Sequence, residues 1–162
     1  MESKNIEGST QLLTFLLDGE VFAVDISKIR EVLEFTSVTK VPRTPPFMRG
    51  VINLRGSVVP VVDLRAKFNM PQGENSVNTC IIILEIAVDD GITVMGAIAD
   101  SVQEVIKLEP EQINTPPKLG TRLPSDYLMG VGKHDDNFIM ILNVDKILSA
   151  EELSTNRQDN AA

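Results

Sequence analysis

Short apolar runs separated by turn-forming residues make up the start of the chain. Residues 11–18 and 20–25 are rich in apolar side chains, and Asp18-Gly19 between them suits the positive φ angles of a tight hairpin turn. This pattern predicts two antiparallel strands.

The next segment departs from the strand pattern. Ile26, Ile29 and Leu33 lie at helical spacing, which predicts a short helix or turn before residues 32–35 return to an extended form. Residues 40–47 then carry three prolines, and proline is excluded from helix interiors and central strands. We expect a stiff, exposed connector here.

Three more pairs of apolar runs follow, and each predicts a hairpin. Residues 50–65 hold two Val-rich runs around a turn at residues 54–57. Because proline cannot donate a ladder hydrogen bond, Pro60 in the second run predicts an edge strand or a bulge. The other two pairs are residues 80–88 with 92–99, around Asp89-Asp90-Gly91, and residues 127–133 with 137–144, around His134-Asp135-Asp136.

The two halves of the chain resemble one another, which is the best clue to its organisation. At an offset of 80 the matching pairs are Gly50 and Gly130, Val51 and Val131, Val59 and Ile139, Val61 and Ile141, and Phe68 and Leu148. At an offset of 73 they are Ile29 and Val102, Glu31 and Glu104, and Val32 and Val105. The repeat predicts two similar β-subdomains of about five strands each, typical of small barrels, and chance similarity between Val-rich hairpins is the alternative.

The end of the chain changes from apolar to polar. Ile147, Leu148 and Leu153 predict a short closing helix. Polar tails with nothing to bury are typical of disorder. The resulting plan is a flexible tail at 1–10, a domain at 11–153 with approximate halves 11–76 and 77–153 between which strands can cross, and a flexible tail at 154–162.

Composition narrows the class of protein. The 162 residues are 43% hydrophobic and carry a net charge of -8, which repels nucleic acid or an anionic membrane and leaves proteins as the natural partners. Cys80 is the one cysteine of the sequence, so an intramolecular disulfide is excluded and a reducing cytosol fits. No apolar stretch approaches the roughly 20 residues of a membrane span, and the polar first residues lack a signal region. We expect a soluble cytoplasmic protein.

Residues that carry catalysis are scarce. His134 is the one histidine of the sequence, and at a predicted hairpin tip a solvated turn residue is a simpler interpretation than a general base. One histidine and one cysteine far apart do not make a structural zinc set. Residues 130–133, Gly-Val-Gly-Lys, lack the spacing of a phosphate loop and precede a strand. We therefore expect no enzyme activity, no metal and no cofactor.

Arg55 and Glu31 are the charged residues that best suit a binding role. Arg55 in its hairpin turn can offer a guanidinium fork to a carboxylate of a partner, or it can be an ordinary exposed turn arginine. Glu31 can be a solvated carboxylate or can pair with Arg55. The residues by themselves leave these alternatives open.

Several segments are similar to those of a known family. They are IREVLEF at 29–35, VPRTPPFMRGVINLRGSVVPVVDLR at 41–65, IADSVQEV at 98–105, YLMGVG at 127–132 and ILNVDKIL at 141–148. Over about residues 11–150 the chain resembles the CheW family of chemotaxis coupling proteins. The resemblance implies an all-β fold of two SH3-like five-stranded barrels with a hydrophobic interface and short connecting and C-terminal helices. It also implies an adaptor without catalytic activity, which joins the cytoplasmic tips of chemoreceptors to the histidine kinase CheA.

The resemblance further implies a receptor-facing groove between the barrels, which would hold a helical hairpin tip of the receptor. Its residues in this sequence would be Ile29, Glu31, Val51, Asn53 and Arg55. The protein would be cytoplasmic and recruited to the inner face of the membrane through chemoreceptors.

A second implied surface binds the kinase. The CheW-like regulatory domain of CheA would dock end to end on one barrel, near Thr39, Val41 and Pro42. Two alternatives stay open: a CheW-like module of a larger kinase or of a CheV-like protein with a receiver domain, and a β-barrel enzyme or small-molecule binder that uses the interbarrel groove.

Overall fold

Hydrogen-bonded strands dominate the protein, whose computed structural model describes residues 8–88, 91–115 and 125–149. The strands are β1 (Thr10–Leu17), β2 (Glu20–Asp25), β3 (Ile29–Glu34), β4 (Met48–Leu54), β5 (Ser57–Asp63), β6 (Cys80–Val88), β7 (Gly91–Ala99), β8 (Ser101–Leu108), β9 (Ile113–Asn114), β10 (Leu128–His134) and β11 (Asn137–Leu142). One-turn α-helices follow β5 and β11, namely α1 (Leu64–Lys67) and α2 (Val144–Ile147). Single 3-10 turns lie at Ile26–Lys28, Pro110–Gln112 and Ser125–Tyr127.

The strands form two sheets, and the prediction of an all-β fold with two barrel subdomains is confirmed. Barrel 1 has the five predicted strands, in the order β3-β6-β7-β5-β4. Barrel 2 has six rather than five, in the order β8-β1-β2-β11-β10-β9, because the two-residue strand β9 pairs with β10. Each sheet takes strands from both 11–76 and 77–153, because β1 and β2 join barrel 2 while β6 and β7 complete barrel 1.

The internal repeat of the sequence is a structural repeat. Hairpin β4-β5 is followed by α1, and hairpin β10-β11 is followed by α2 at the same offset of 80. Both hairpins have a register shift before their glycine, between Met48 and Gly50 in one and between Leu128 and Gly130 in the other. Both helices begin after a side-chain cap, Asp63 or Asn143, whose oxygen accepts a backbone hydrogen bond.

Three of the predicted hairpins have turn residues of positive φ, which the sequence had predicted for Asp18-Gly19. Positive φ angles occur at Asp18 (51°) and Gly19 (81°), Arg55 (52°) and Gly56 (90°), and Asp135 (52°) and Asp136 (65°). Two consecutive residues of positive φ give the turn that matches the twist of paired strands. The hairpin of β6 and β7 is also present, and its turn residues Asp89 and Asp90 lie outside the described residues.

The helical spacing of Ile26, Ile29 and Leu33 was a misleading signal. A 3-10 turn forms, as expected of a short helix or turn, but only Ile26 belongs to it, whereas Ile29 and Leu33 lie on β3. Residues four positions apart satisfy the period of a strand as well as that of a helix. Hydrogen bonding of β3 to β6 decides for the strand.

The expectation for Pro60 is wrong. β5 lies between β7 and β4 rather than at an edge, and Pro60 pairs in register with Val51 without a bulge. β5 pairs with β7 only over Val61 to Asp63, so the proline lies just before that ladder and its missing N–H interrupts no pair of it.

The predicted closing helix is present as α2, but it begins at Val144 rather than near Ile147. Asn143 accepts a hydrogen bond from the backbone of Lys146 and thereby ends the strand before residue 144, where the sequence pattern extended it. Leu153 lies outside the described residues.

Three apolar clusters stabilise this arrangement. The core of barrel 1 contains Ile52, Val59, Val61, Ile81, Ile83 and Ile98. The core of barrel 2 contains Leu12, Ala23, Ile106, Leu108, Ile139 and Ile141. A larger shared cluster lies between the barrels and takes alternate residues of the same strands, such as Ile82 and Leu84 of β6. β6 is therefore buried on both faces, which explains its uninterrupted apolar run.

Candidate functional site

Arg55 and Glu31 form a two-pronged ion pair. Arg55 Nη1 lies 2.6 Å from Glu31 Oε2, and Arg55 Nη2 lies 2.8 Å from Glu31 Oε1. Glu31 is on β3 and Arg55 is in the turn after β4, and these two strands are the opposite ends of the barrel 1 sheet. The ion pair therefore joins the two edges of the sheet. Of the two interpretations of Glu31, pairing with Arg55 is the one observed.

The electrostatics of the pair follow from these hydrogen bonds. The hydrogen bonds from Arg55 lower the pKa of the Glu31 carboxyl, and the same bonds raise the pKa of the Arg55 guanidinium. The Arg55 side chain keeps 69% of its surface exposed, against 24% for Glu31. Glu31 thus orients a guanidinium that still faces solvent and can contact a partner.

Asn53 positions Arg55 from within the turn. Its Oδ1 accepts a hydrogen bond of 2.8 Å from the backbone N–H of Gly56. This bond closes the turn in which Arg55 adopts φ of 52°. Asn53 is exposed and one strand position removed from the buried Ile52, so it lies on the outer face of β4.

Val51 connects the two predicted binding surfaces. Its N–H donates to the carbonyl of Thr39 at 2.8 Å, and its carbonyl accepts from the N–H of Thr39 at 2.9 Å. Gly50 permits this approach, because a Cβ there would lie 2.1 Å from the Thr39 oxygen and its φ of 147° disfavours other residues. A predicted receptor residue and a predicted kinase residue are thus hydrogen-bonded neighbours.

Ile29 packs differently from the other four predicted receptor-binding residues. It is half-buried and packs against the cluster shared by the barrels. A register shift in β3 separates it from Glu31. The structure therefore joins Glu31, Asn53 and Arg55 through side-chain contacts, adds Val51 through the strand, and places Ile29 at the junction with the shared cluster.

The predicted kinase residues lie on the proline-rich connector between β3 and β4. Thr39 and Pro42 are exposed, and Val41 is half-buried. The carbonyl of Val41 accepts a 2.9 Å hydrogen bond from Thr44 Oγ1, and Arg43 adopts φ of 64°. The connector turns at residues 42–43 and 46–47 and pairs with β4 through Thr39. It is exposed only in part, because Phe47 is buried.

Sequence reasoning missed an apolar surface beside Arg55. Val58 and Ile92 are 73% and 68% exposed, and both line a groove of about 590 Å³ that also includes Arg30 and Arg55. The groove opens because β5 pairs with β7 only from Val61 onward. The sequence feature that could have indicated this groove is Pro60, which has no N–H to donate to a neighbouring strand. Sequence reasoning interpreted it as the mark of an edge strand or a bulge.

Among the described residues, no three His, Cys, Asp or Glu side chains lie close enough to bind a metal. His134 contacts Asp135 at 3.4 Å in an exposed turn, and burial raises the pKa of the Cys80 thiol. Across the same described ranges, the helices are all too short to cross a membrane.

Two β-barrels, an oriented surface arginine and exposed valine and isoleucine side chains define the class of protein, namely a module that binds other proteins. The profile of the CheW-like domain family matches residues 11–152. The chain is 35% identical over 144 residues to the chemotaxis protein CheW of Klebsiella aerogenes, covering 89% of this chain and 84% of that protein. It is 29% identical over 157 residues to the chemotaxis protein CheW of Bacillus subtilis, covering 96% and 97%.

A solved structure agrees with the sequence relatives. The crystal structure of the scaffolding protein TtCheW from Thermoanaerobacter tengcongensis matches with a TM-score of 0.79 and 34% identity, covering 88% of this chain and 90% of that one. The chain belongs to the CheW-like domain family. It is accordingly an adaptor of chemotaxis signalling that acts through protein–protein contacts.

Proposed function

We propose that this chain joins the cytoplasmic tips of chemoreceptors to the histidine kinase CheA and has no catalytic activity of its own. The observation that carries the proposal is the Glu31–Arg55 ion pair, which holds an exposed guanidinium at a fixed place on barrel 1. A group that is already oriented loses little side-chain freedom when a partner binds.

The receptor contact uses the surface around this pair. The guanidinium has five N–H donors. Those that do not bind Glu31 can bind polar groups of a receptor helical hairpin that lies in the predicted groove between the barrels. Val51 supplies apolar contact on β4, and Ile29 supplies it at the junction with the cluster shared by the barrels. The positive charge of Arg55 stands out on a chain of net charge -8, so it favours an acidic or carbonyl-rich partner surface.

The kinase contact uses the connector. Thr39, Val41 and Pro42 present a short stretch whose prolines lower the entropy lost on binding. Because Thr39 is hydrogen-bonded to Val51, the connector cannot move far without moving β4. We propose that the two partners are thereby held in a fixed relative position.

Weak contacts are sufficient for this role. An interface at or below the standard size of about 1,600 Å² commonly gives micromolar affinity, or roughly -8 kcal/mol. In an array, neighbouring sites are presented at about millimolar effective concentration, which multiplies such contacts. We place the protein in the cytoplasm, at the inner face of the membrane where receptors recruit it.

A reconstitution tests the proposal. Receptor-containing membranes, CheA and this chain are mixed, and the rate of kinase autophosphorylation is measured with each component omitted in turn. We expect receptor control of the kinase only when this chain is present, together with a ternary complex that sediments with the membranes. Receptor-controlled kinase activity in its absence, or binding of just one partner, would contradict the coupling role.

A further inference from the structure

Arg49 differs from three other described arginines in how its guanidinium is satisfied. Arg30, Arg55 and Arg65 each contact a carboxylate within 3.0 Å. Arg49 Nη1 lies 3.8 Å from Asp63 Oδ2, which is too long for a hydrogen bond. That nitrogen is sealed from solvent and has no hydrogen-bond partner among the described residues.

An unsatisfied donor in this position has a cost. Leaving a buried polar group without a partner destabilises the folded protein, and such groups in native proteins call for an explanation. Asp63 Oδ1 caps α1 by accepting from the N–H of Ala66, and Oδ2 lies beyond hydrogen-bond distance of Arg49 Nη1. The guanidinium is instead held 5.9 Å from the centre of the Phe35 ring.

The exposed third of the Arg49 side chain lines a groove. The side chain is 33% exposed, and the groove has a volume of about 520 Å³. Its ionisable lining residues are Lys40, Arg49 and Asp63, so two positive charges face one buried negative charge. On a chain of net charge -8, this local excess of positive charge favours the binding of an anion.

The internal repeat provides a built-in comparison. Met129 is the counterpart of Arg49 at the offset of 80, and it lines a smaller groove of about 260 Å³ on barrel 2. Ile113 of this groove is the counterpart of Val38 on barrel 1. The residues that follow them pair with equivalent positions, Asn114 with Val131 and Thr39 with Val51. The ionisable residue that lines the barrel 2 groove is Asp25, whereas Lys40 and Arg49 give the barrel 1 groove an excess of positive charge. An arginine at this position is therefore not a requirement of the repeated fold.

We infer that the Arg49 groove binds a side-chain carboxylate of the kinase domain that docks on the proline-rich connector. Lys40 lies within the connector and lines the groove, so a partner seated on Thr39, Val41 and Pro42 reaches Arg49 directly. The carboxylate binds the part of the Arg49 side chain that is exposed in the groove and is attracted by Lys40. The inference rests on the proposed function for the identity of the partner, and on the groove for the chemistry.

The test measures affinity of the full chain for CheA of the same organism by titration calorimetry. Arg49→Met introduces the residue that barrel 2 has at the equivalent position, Met129, and should weaken binding about 10- to 100-fold. Arg49→Lys keeps the positive charge but loses the two-pronged hydrogen bonding of a guanidinium, and it should weaken binding less. Lys107→Met removes the same charge from the exposed face of β8 and should leave the affinity unchanged. Affinity of wild type should fall with added salt more steeply than that of Arg49→Met.

Folding and partner identity are checked in parallel. Arg49→Gln keeps donors toward Asp63, and thermal unfolding of each variant shows whether a weaker affinity comes from a damaged fold. Equal kinase affinity of wild type and a folded Arg49→Met or Arg49→Gln overturns the inference, as does loss of receptor binding with kinase binding intact. Absence of kinase binding by the wild-type chain instead overturns the proposed function.

Discussion

Arg65 and Asp145 occupy equivalent positions of the internal repeat, 80 residues apart, but carry opposite charges and form two different clasps between the barrels. Arg65 on α1 contacts Asp100 at 2.6 Å and lies 3.7 Å from Asp18 in the turn of barrel 2. Asp145 on α2 accepts hydrogen bonds from Lys28 and from the N–H of Ala87. Each helix thus contributes one charged side chain to contacts between the barrels. That side chain is positive on α1 and negative on α2.

The Arg65 clasp should contribute to stability. Arg65→Met removes both hydrogen bonds from Arg65 to Asp100 and leaves the carbonyl of Pro71, which Arg65 also binds at 2.6 Å, without that donor. We expect a loss of about 1 to 3 kcal/mol in the free energy of unfolding, measured with urea at neutral pH. Arg43→Met, in an exposed turn of the connector, is the control and should stay within about 0.5 kcal/mol of wild type. Equal stability of the two variants would contradict the role of the clasp.

Low pH should weaken the contact between Arg65 and Asp100. Burial opposes ionisation of Asp100, but the hydrogen bonds from Arg65 and from the N–H of Asp18 together lower its pKa below the ordinary 3.8. A carboxyl with a lowered folded pKa stabilises the protein above its unfolded pKa, and the stabilisation is lost as the pH falls through the folded pKa. We expect the stability difference between wild type and Asp100→Asn to be constant near neutral pH and to shrink below about pH 4. A pH-independent difference down to pH 2 would contradict this.

Arg55→Glu should weaken receptor binding about 30-fold or more, because it replaces the exposed guanidinium with a repelling charge beside Glu31. The measurement is co-sedimentation with receptor-containing membranes. The double variant Glu31→Arg with Arg55→Glu restores an ion pair between the edges of barrel 1. We expect it to recover thermal stability but not receptor affinity, and recovery of both would mean that Arg55 acts only by closing the barrel.

Gly50→Ala should disturb both binding surfaces. The added Cβ would lie 2.1 Å from the Thr39 oxygen, so the backbone pair of Thr39 and Val51 must separate. We expect a loss of roughly 1 to 3 kcal/mol in stability and weaker binding of receptor and kinase together. Gly19→Ala is the matched control, because Gly19 also has positive φ but no atom within 4 Å of the added Cβ. An affinity loss of equal size in the control would contradict the prediction.

Phe68→Ala should destabilise the interface of the barrels. Phe68 is 2% exposed, and its ring lies 5.9 Å from the rings of Phe22 and Tyr127, both of which belong to the shared cluster. We expect a loss of about 3 to 5 kcal/mol in the free energy of unfolding. Phe138→Ala removes a ring that is 66% exposed and should cost little. A small effect of Phe68→Ala would mean that the barrels do not depend on the shared cluster.

The sequence by itself determined the hairpins and their repetition. Asp18-Gly19 and Arg55-Gly56 predicted their turns because positive φ is a local property of the residues that form a turn. The offset of 80 between the two hairpins likewise survives in the fold, since equivalent residues have equivalent neighbours. The family and the adaptor role followed from local motifs for the same reason.

Only the tertiary structure decided which strands belong to which barrel and how charges pair. β1 and β2 join a sheet whose other strands begin at Ser101, and Pro60 turned out to lie in an interior strand. The sequence left open whether Glu31 pairs with Arg55, and it gave no indication of the contacts of Arg65 or of the unsatisfied donor of Arg49. Each depends on contacts between residues far apart in the chain, and a local pattern carries no information on which distant group will arrive.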